Sequence, residues 1–105
     1  MALKQISAII RPELLEAVER NLKQLDITGL TVTRAKGVGE NGDILVTSDG
    51  MFSSIRIDIF LNETQVQKVV DAVMDAAGTG RPGDGIIAVL PADRVYRIRD
   101  RQELT

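Results

Sequence analysis

The segment Thr79-Gly80-Arg81-Pro82-Gly83-Asp84-Gly85 combines residue types that could hold an anion. Glycine has no Cβ, so the backbone N–H groups beside it can approach a phosphate closely. The segment also contains a proline that fixes a bend, one carboxylate and one guanidinium. A plain helix-to-strand connection that needs glycine only for positive φ angles would have the same composition. Composition therefore leaves open both a phosphate-facing loop at 79–85 and a plain connection.

Two further segments could bind an anion. Arg97 and Arg99 stand two apart in a predicted strand at 95–99, and alternate residues of a strand share a face, so both guanidinium groups would project together. Such a pair needs an anion or carboxylates to neutralise it, unless it lies on a solvated edge strand whose charges discourage pairing. Gly37-Val38-Gly39, beside Lys36, could also approach an anion or could simply open a hairpin.

The composition excludes several classes of active site. The 105 residues include no Cys and no His, so no thiolate nucleophile, imidazole base or imidazole metal ligand is available. The carboxylates form no acid–base pair at a recognisable spacing. A small hydrolase that used Arg11 and Asn41 has nothing in the sequence to bring these two side chains together. We therefore predict no catalytic residue, no metal site and no enzymatic activity.

The charge and the hydropathy pattern predict where the protein works. The net charge of −2 and the pI of about 5.1 disfavour binding to nucleic acid through its phosphates. No apolar run is long enough to span a membrane, and none follows the N-terminus as a secretory signal would. We expect a cytoplasmic protein that binds no nucleic acid and does not insert into a membrane.

Two predicted helices and five predicted strands must position these candidates. Apolar residues three and four apart predict helices after Pro12 and after Asn62, whereas the alternation of Ile55, Ile57 and Ile59 with polar residues predicts a strand. The predicted order is strand 3–10, helix 12–25, strand 30–38, a strand around 55–59, helix 66–77, strand 86–90 and a short extra strand 95–99. Without the extra strand, this is the βαββαβ order of a ferredoxin-like α+β fold, with both helices on one face of an antiparallel sheet.

The other face of this sheet would need a cover. Val32, the isoleucines and Val89 could not all remain in water, so we expect the sheet faces of several copies to meet in an oligomer. The whole chain, 1–105, is expected to form a single domain.

The segment 39–53 allows two interpretations. Its length between predicted elements favours a flexible functional loop. Asn41-Gly42 and Asp49-Gly50 are two-residue turn signals, which favour a small hairpin in which 44–47 pairs with 51–55. Either form offers apolar anchors to a protein partner, namely Ile44, Leu45, Val46, Met51 and Phe52.

In this order and at these separations, the segments of the chain resemble the PII nitrogen-regulatory signal proteins over essentially its whole length. The segments that carry the resemblance are Ala8-Ile9-Ile10-Arg11-Pro12, Ile27-Thr28-Gly29-Leu30-Thr31-Val32-Thr33, Lys36-Gly37-Val38-Gly39, the glycine-rich segment 79–85 and Val95-Tyr96-Arg97-Ile98-Arg99. The resemblance implies a homotrimer whose sheets face a central axis, with an adenine nucleotide in the clefts between subunits. Members of that family sense ATP against ADP, often with 2-oxoglutarate and Mg²⁺, and dock a long loop on transporters, enzymes or regulators.

The resemblance also implies which part of the nucleotide each residue would face. Thr31, Gly37 and Val38 would line the adenosine end, Ile9 and Phe60 would neighbour the base, Gly83, Asp84 and Gly85 would face the phosphates and ribose, and Arg97 and Arg99 would supply positive charge from across the interface.

Three departures from the family pattern make the predicted site less positive. The lysine that contacts the phosphates is replaced by Ile86, and the loop-base lysine that would pair with the 2-oxoglutarate carboxylate aligns with Ser54. A basic residue and a glutamine that helps to hold metal and 2-oxoglutarate are replaced by Glu40 and Asn41. The loop at 39–53 is shortened and has no modifiable tyrosine, since the single tyrosine is Tyr96.

We therefore expect a divergent PII-like signal protein that favours ADP or AMP over ATP and does not sense 2-oxoglutarate, with the role of Mg²⁺ left open. Two fewer charge-assisted hydrogen bonds, at roughly 1.5–3 kcal/mol each, would weaken triphosphate binding about a hundredfold or more. Through its loop the protein would regulate a target, with a membrane transporter as one expectation. The alternative is a trimeric interaction module that has lost its ligand and acts by docking alone.

Overall fold

A sheet of four strands and two helices form the body of the protein. The structure, a computed structural model, describes residues 2–27, 29–37 and 52–104. The strands of the main sheet are β1 (Leu3–Ile10), β2 (Thr31–Gly37), β3 (Phe52–Asn62) and β4 (Ile86–Ala92). The helices are α1 (Leu15–Gln24) and α2 (Val66–Ala77), and a short 3-10 turn precedes each of them, at Pro12–Leu14 and Glu63–Gln65.

The topology of the sheet confirms the predicted ferredoxin-like α+β fold. Its strand order is β2-β3-β1-β4, and each neighbouring pair is antiparallel. The central strands β1 and β3 and the inner stripes of α1 and α2 contribute their buried residues to one hydrophobic core. Both helices therefore cover the same face of the sheet, as the order of elements predicts.

Local sequence explains where both helices begin and which way they face. Pro12 opens the 3-10 turn before α1, a position at which its missing N–H is not needed. The Asn62 side chain accepts a hydrogen bond from the Thr64 N–H at 3.0 Å and caps the turn before α2. Each helix buries one stripe at helical spacing, Val18 and Leu22 on α1 and Val69, Val73 and Ala77 on α2.

The isoleucines of β3 lie under the helices and not on the open face of the sheet. Ile55, Ile57 and Ile59 are each at most 5% exposed, and the antiparallel register puts them on the same face as the buried residues of β1. The expectation that they need cover on the other face was wrong. Two amphipathic helices require an apolar sheet face to pack against, and the alternating isoleucines of β3 supply it.

The same correction applies to Val32 and Val89. Val32 lies opposite Ile57 and Val89 lies opposite Ile6, so both belong to the helix-covered face. They remain 41% and 47% exposed because β2 and β4 are the edge strands of the sheet. Edge position, and not an uncovered face, explains their exposure.

The open face combines a polar centre with exposed apolar side chains. Asp58 accepts hydrogen bonds from Gln5 Nε2 at 3.3 Å and from Arg56 Nε at 3.0 Å. Phe60 and Leu90 both lie opposite Gln5 in the register, and their side chains are 53% and 40% exposed. In a single chain, therefore, apolar side chains on this face are exposed to solvent. They are fewer than the sequence predicts, because Val32, Val89 and the isoleucines of β3 lie on the other face.

The C-terminal segment forms a separate hairpin. β5 (Tyr96–Arg97) pairs with β6 (Gln102–Glu103) in a two-stranded sheet, so the strand expected at 95–99 is shorter. The turn between them forms because Asp100 accepts a hydrogen bond from the Gln102 N–H at 3.2 Å and Arg101 adopts a positive φ of 59°. Arg99 lies in this turn, and strand alternation therefore does not put it on one face with Arg97.

Most of the segment 39–53 lies outside the described residues. Its last two residues, Phe52 and Ser53, belong to β3, opposite Gly37 and Lys36, so this strand begins earlier than predicted. The choice between a flexible loop and a hairpin falls on residues outside the described part of the chain, as do the proposed partner contacts Ile44, Leu45, Val46 and Met51. Neither of the described helices has the length and apolar content that crossing a membrane requires.

Candidate functional site

The glycine-rich segment 79–85 connects α2 to β4 and lies directly on the end of β1. Gly80, Gly83 and Gly85 have φ angles of 80°, 98° and 104°, a region that residues with a Cβ rarely adopt. A Cβ on Gly85 would lie 1.8 Å from the backbone carbonyl oxygen of Ile9. The loop therefore needs glycine at Gly85 for space as well as for backbone conformation.

The carboxylate of Asp84 folds this loop back on itself. It accepts hydrogen bonds from the Thr79 N–H at 2.7 Å and from the Gly80 N–H at 2.9 Å, and also from the Thr79 hydroxyl. These donors, with the Thr79 hydroxyl as the largest cause, lower the pKa of Asp84 to about 2. Asp84 is therefore ionised at neutral pH, and the loop's own donors satisfy its negative charge.

Arg11, which directly follows β1, fixes the loop to the end of this strand. Its side chain is 9% exposed, and it is the one buried charged residue among those that the structure describes. Its Nε lies 3.4 Å from Asp84 Oδ1, and its Nη2 donates a hydrogen bond to the Pro82 carbonyl at 2.8 Å. The buried cation thus contacts both a side chain and a backbone group of the loop.

Sequence reasoning missed this role of Arg11. The sequence offers Arg11 as part of the first segment that resembles PII proteins and as a hydrolase partner of Asn41, which lies outside the described residues, but neither role pairs Arg11 with Asp84. The signal that could have found it is its position directly after an apolar strand and before Pro12. A cation at the end of a buried strand needs an anionic or carbonyl partner, and Asp84 lies in the segment already singled out for other reasons.

A cleft of about 470 Å³ opens beside the loop, between α2, the end of β1 and the start of β4. It is lined mainly by apolar residues, including Ile9, Val70, Met74 and Ile86, and Asp84 adds a charged residue to the lining. A larger hollow, of about 610 Å³, lies along the outer side of α1 between Glu16 and Leu30. None of the predicted nucleotide-binding residues lines the larger hollow, whereas Asp84 and Gly85 line the cleft beside the loop, so this cleft is the better candidate.

A second arginine–aspartate pair lies in the C-terminal hairpin. Arg97 Nη2 donates to Asp100 Oδ2 at 2.6 Å, and Arg97 Nε donates to Oδ2 and Oδ1 at 3.0 and 3.1 Å. The side chains are 44% and 36% exposed, and the hydrogen bonds from Arg97 lower the pKa of Asp100 below its ordinary value. A carboxylate of the same hairpin therefore neutralises Arg97, one of the outcomes that the sequence left open. Arg99 is exposed in the adjoining turn.

Comparison with known proteins decides the family. A family model described as "Nitrogen regulatory protein P-II" matches residues 3–102. The chain belongs to the PII family. PII proteins are nitrogen regulatory signal proteins, so the chain is a regulatory protein by family.

Relatives and a solved structure agree with this assignment. The chain is 36% identical over 103 residues to a nitrogen regulatory protein P-II of Azospirillum brasilense, covering 92% of each chain. It is 38% identical over 103 residues to the nitrogen regulatory protein GlnK of Escherichia coli (strain K12), again covering 92% of each. The crystal structure of Arabidopsis thaliana PII bound to citrate superposes with a TM-score of 0.83 at 28% identity, over 97% of this chain and 85% of that one.

Within one chain of this PII protein, the predicted nucleotide-binding residues fall into three separate groups. Thr31 and Gly37 begin and end the edge strand β2, whereas Gly83, Asp84 and Gly85 precede the opposite edge strand β4. Arg97 and Arg99 belong to the C-terminal hairpin, and Val38 lies outside the described residues. The fold brings Asp84 and Gly85 together with the end of β1, but β1 and β3 separate them from β2.

Proposed function

We propose that this PII-family protein is a trimeric signal protein that binds an adenine nucleotide in clefts between subunits, with ADP or AMP favoured over ATP. The nucleotide would change the conformation of the segment 39–53, and this segment would dock on a target protein and regulate it. A membrane transporter is one class of target that the family resemblance implies. The proposal combines the geometry of the glycine-rich loop with the roles that the resemblance implies for Thr31, Gly37, Val38, Arg97 and Arg99.

The observation that carries this proposal is the internal neutralisation of Asp84. A carboxylate in a phosphate-facing loop would repel the ligand if its charge were free. Here the Asp84 carboxylate accepts hydrogen bonds from Thr79 and Gly80 and lies against the buried Arg11. Because this carboxylate takes the Thr79 and Gly80 N–H groups, a phosphate would approach the backbone beside Gly83 and Gly85, where no unpaired negative charge of Asp84 repels it.

The preference for fewer phosphates follows from Ile86. This residue directly follows the loop, and its side chain is 47% exposed, at the position where the resemblance implies a lysine on the phosphates. An apolar side chain there supplies no charge-assisted hydrogen bond, which is worth roughly 1.5–3 kcal/mol. Since about 1.4 kcal/mol is a tenfold change in affinity, ATP would lose more than AMP.

Separation of the predicted groups within one chain supports the trimer. Arg97 belongs to a hairpin outside the main sheet. The Arg97 of one subunit would therefore supply positive charge to the glycine-rich loop of a neighbouring subunit. Phe60 and Leu90 on the open face, 53% and 40% exposed, would be covered by the sheets of the other subunits.

Sensing of 2-oxoglutarate is not part of the proposal. Ser54 stands where the resemblance implies the lysine for its carboxylate, and Ser54 is 4% exposed. The hydroxyl is buried and has no hydrogen-bond partner among the described residues. A short neutral hydroxyl at that position cannot replace a lysine cation.

Isothermal titration calorimetry with ATP, ADP and AMP, each with and without Mg²⁺, tests the proposal. We expect micromolar binding, tighter for ADP or AMP than for ATP, that is lost when Arg97→Ala and Arg99→Ala are combined. The matched control combines Arg20→Ala and Lys23→Ala, which removes the same charge from exposed positions on α1. Light scattering of each variant checks for a trimer.

Absence of heat with all three nucleotides would contradict nucleotide binding and favour the docking module without a ligand. Equal loss of binding in the α1 control would show that only the net charge matters. A monomer at micromolar concentration would contradict a site shared between subunits.

A further inference from the structure

The guanidinium of Arg97 is engaged by Asp100 in the geometry that a phosphate would use. Its Nε and Nη2 groups make three hydrogen bonds to the two carboxylate oxygens, at 2.6 to 3.1 Å. A two-pronged contact of this kind is how arginine binds carboxylate and phosphate alike. A phosphate that approached the same edge of Arg97 would have to displace Asp100.

The backbone of the hairpin holds Asp100 in this position. Asp100 Oδ1 also accepts a hydrogen bond from the Gln102 N–H at 3.2 Å, and the positive φ of Arg101 returns the chain to β6. The carboxylate is therefore an intramolecular competitor with a high local concentration. The competitor is exchangeable, because Arg97 and Asp100 are 44% and 36% exposed and exposed ion pairs are weak.

We infer that Asp100 is a specificity-determining residue that holds Arg97 in the absence of nucleotide and weakens the preference of the site for highly charged phosphates. This inference rests on the proposed role of Arg97 in nucleotide binding. Paired with each other, Arg97 and Asp100 have no net charge. Together they therefore attract a triphosphate little more than a monophosphate. When a phosphate takes Arg97, it leaves the Asp100 carboxylate unpaired nearby, and the repulsion is greatest for a triphosphate.

The inference adds a second, independent reason for the expected preference for ADP or AMP. Ile86 stands where the resemblance implies a lysine beside the glycine-rich loop, so one cation is missing there. Asp100, in contrast, neutralises Arg97, a cation that is present. The two effects are separable because a substitution at Asp100 leaves the residues of the loop unchanged.

The variant Asp100→Asn tests the inference. Asparagine has nearly the same shape and keeps an oxygen for the Gln102 N–H, but it has no negative charge. Calorimetry should show that this variant binds ATP about 2- to 5-fold more tightly than the wild type, with a smaller gain for AMP. The gain should shrink at higher salt, because the pair is exposed.

Two matched controls isolate the ion pair from a general charge effect. Glu103→Gln removes the same charge from β6 of the same hairpin, and Glu103 takes part in none of the ion pairs found among the described residues. A double-mutant cycle introduces Asp100→Asn into Arg97→Ala, where no gain is expected because the competed cation is gone.

The possible outcomes distinguish the inference from the proposed function. If the wild type binds nucleotide and Asp100→Asn binds it no more tightly than Glu103→Gln does, only the inference is overturned. The inference is also overturned if Asp100→Asn gives the same gain in the Arg97→Ala background. Binding of ATP by Asp100→Asn but not by the wild type would support the inference strongly. Absence of binding by both proteins would overturn it together with the proposed function.

Discussion

The Arg11–Asp84 and Arg97–Asp100 pairs use the same two types of side chain in opposite surroundings. The first joins β1 to the glycine-rich loop with side chains 9% and 24% exposed, and its closest contact is 3.4 Å. The second lies in the C-terminal hairpin with side chains 44% and 36% exposed, and its closest contact is 2.6 Å. The shorter pair is nevertheless the weaker structural element, because water and ions can compete with it.

The two aspartates also owe their low pKa values to different donors. The Thr79 hydroxyl lowers the pKa of Asp84 most, and Arg11 lowers it least among the groups that donate hydrogen bonds to this carboxylate. For Asp100, the hydrogen bonds from Arg97 are the largest cause. Asp84 is therefore held by its own loop, with Arg11 fixing that loop to the sheet, whereas Asp100 is held by its arginine. The comparison teaches that the less exposed pair, which joins a loop to the sheet, serves structure, whereas the exposed pair can exchange its partner because water and ions compete for it.

The largest expected effect comes from breaking the close approach of the loop to β1. Gly85→Ala would put a Cβ 1.8 Å from the Ile9 carbonyl oxygen at a φ of 104°, so either the loop or the strand must move. We expect the free energy of unfolding to fall by at least about 3 kcal/mol, measured by urea denaturation.

Gly80→Ala is the matched control for this prediction. Gly80 has a positive φ of 80°, but a Cβ there would meet no atom within 4 Å. Its loss of stability should be limited to the backbone conformation, about 1–2 kcal/mol. Equal losses in the two variants would contradict the close packing of the loop on β1.

Deletion of each arginine compares the two pairs directly. Arg11→Met removes two hydrogen bonds from a buried guanidinium and should lower the free energy of unfolding by about 2 kcal/mol. Arg97→Met removes a shorter but exposed pair and should lower it by less than about 1 kcal/mol. Urea denaturation of both variants measures the difference.

Arg11→Lys sharpens this comparison, because lysine keeps the cation but cannot bind Asp84 and the Pro82 carbonyl with one rigid fork. We expect it to recover part of the stability that Arg11→Met loses. If Arg97→Met destabilised the protein as much as Arg11→Met, then burial would not be what separates the two pairs.

The smallest expected effect is on the acid titration of the two aspartates. Because the pKa of Asp84 lies at about 2 in the folded protein and at 3.8 ordinarily, its contribution to stability is complete above about pH 4 and is lost as the pH falls towards 2. In carboxyl-carbon NMR titrations, Arg97→Met should raise the pKa of Asp100 towards its ordinary value. Arg11→Met should move the pKa of Asp84 less, since the Thr79 and Gly80 donors remain. The reverse order of these two shifts would contradict the assignment of donors.

The sequence predicted the main fold well because each element carries a local signal. The helical spacing from Leu15 to Leu25, the alternation around Ile57 and the cap at Asn62 depend only on residues near one another in the chain. The faces of the sheet could not be predicted in this way. Alternation shows that one side of β3 is apolar, but it does not show which side the helices cover, so Val32 and Val89 were assigned to the wrong face.

The candidate site, like the fold, has features that the sequence predicted and features that it did not. The glycine-rich segment and the paired arginines were recognisable as residue types that could hold an anion, and the resemblance to PII proteins assigned them roles. The hydrogen-bond partners were not recognisable, because Arg11 and Asp84 are far apart in sequence and meet only when β1 and β4 pair in the sheet. The strand expected at 95–99 failed for a local reason, since Asp100 and Arg101 favour a turn that the arginine spacing does not reveal.

The sequence by itself determined the family, the order of helices and strands, and the need for glycine between α2 and β4. These properties follow from local periodicity and from residue types at fixed separations. Only the tertiary structure decided that Asp84 accepts hydrogen bonds from Thr79 and Gly80 of its own loop and pairs with a buried Arg11 outside it, and that Asp100 occupies Arg97. The state of a charged side chain depends on which donors the fold brings within about 3 Å of it, and chain separation does not encode that distance.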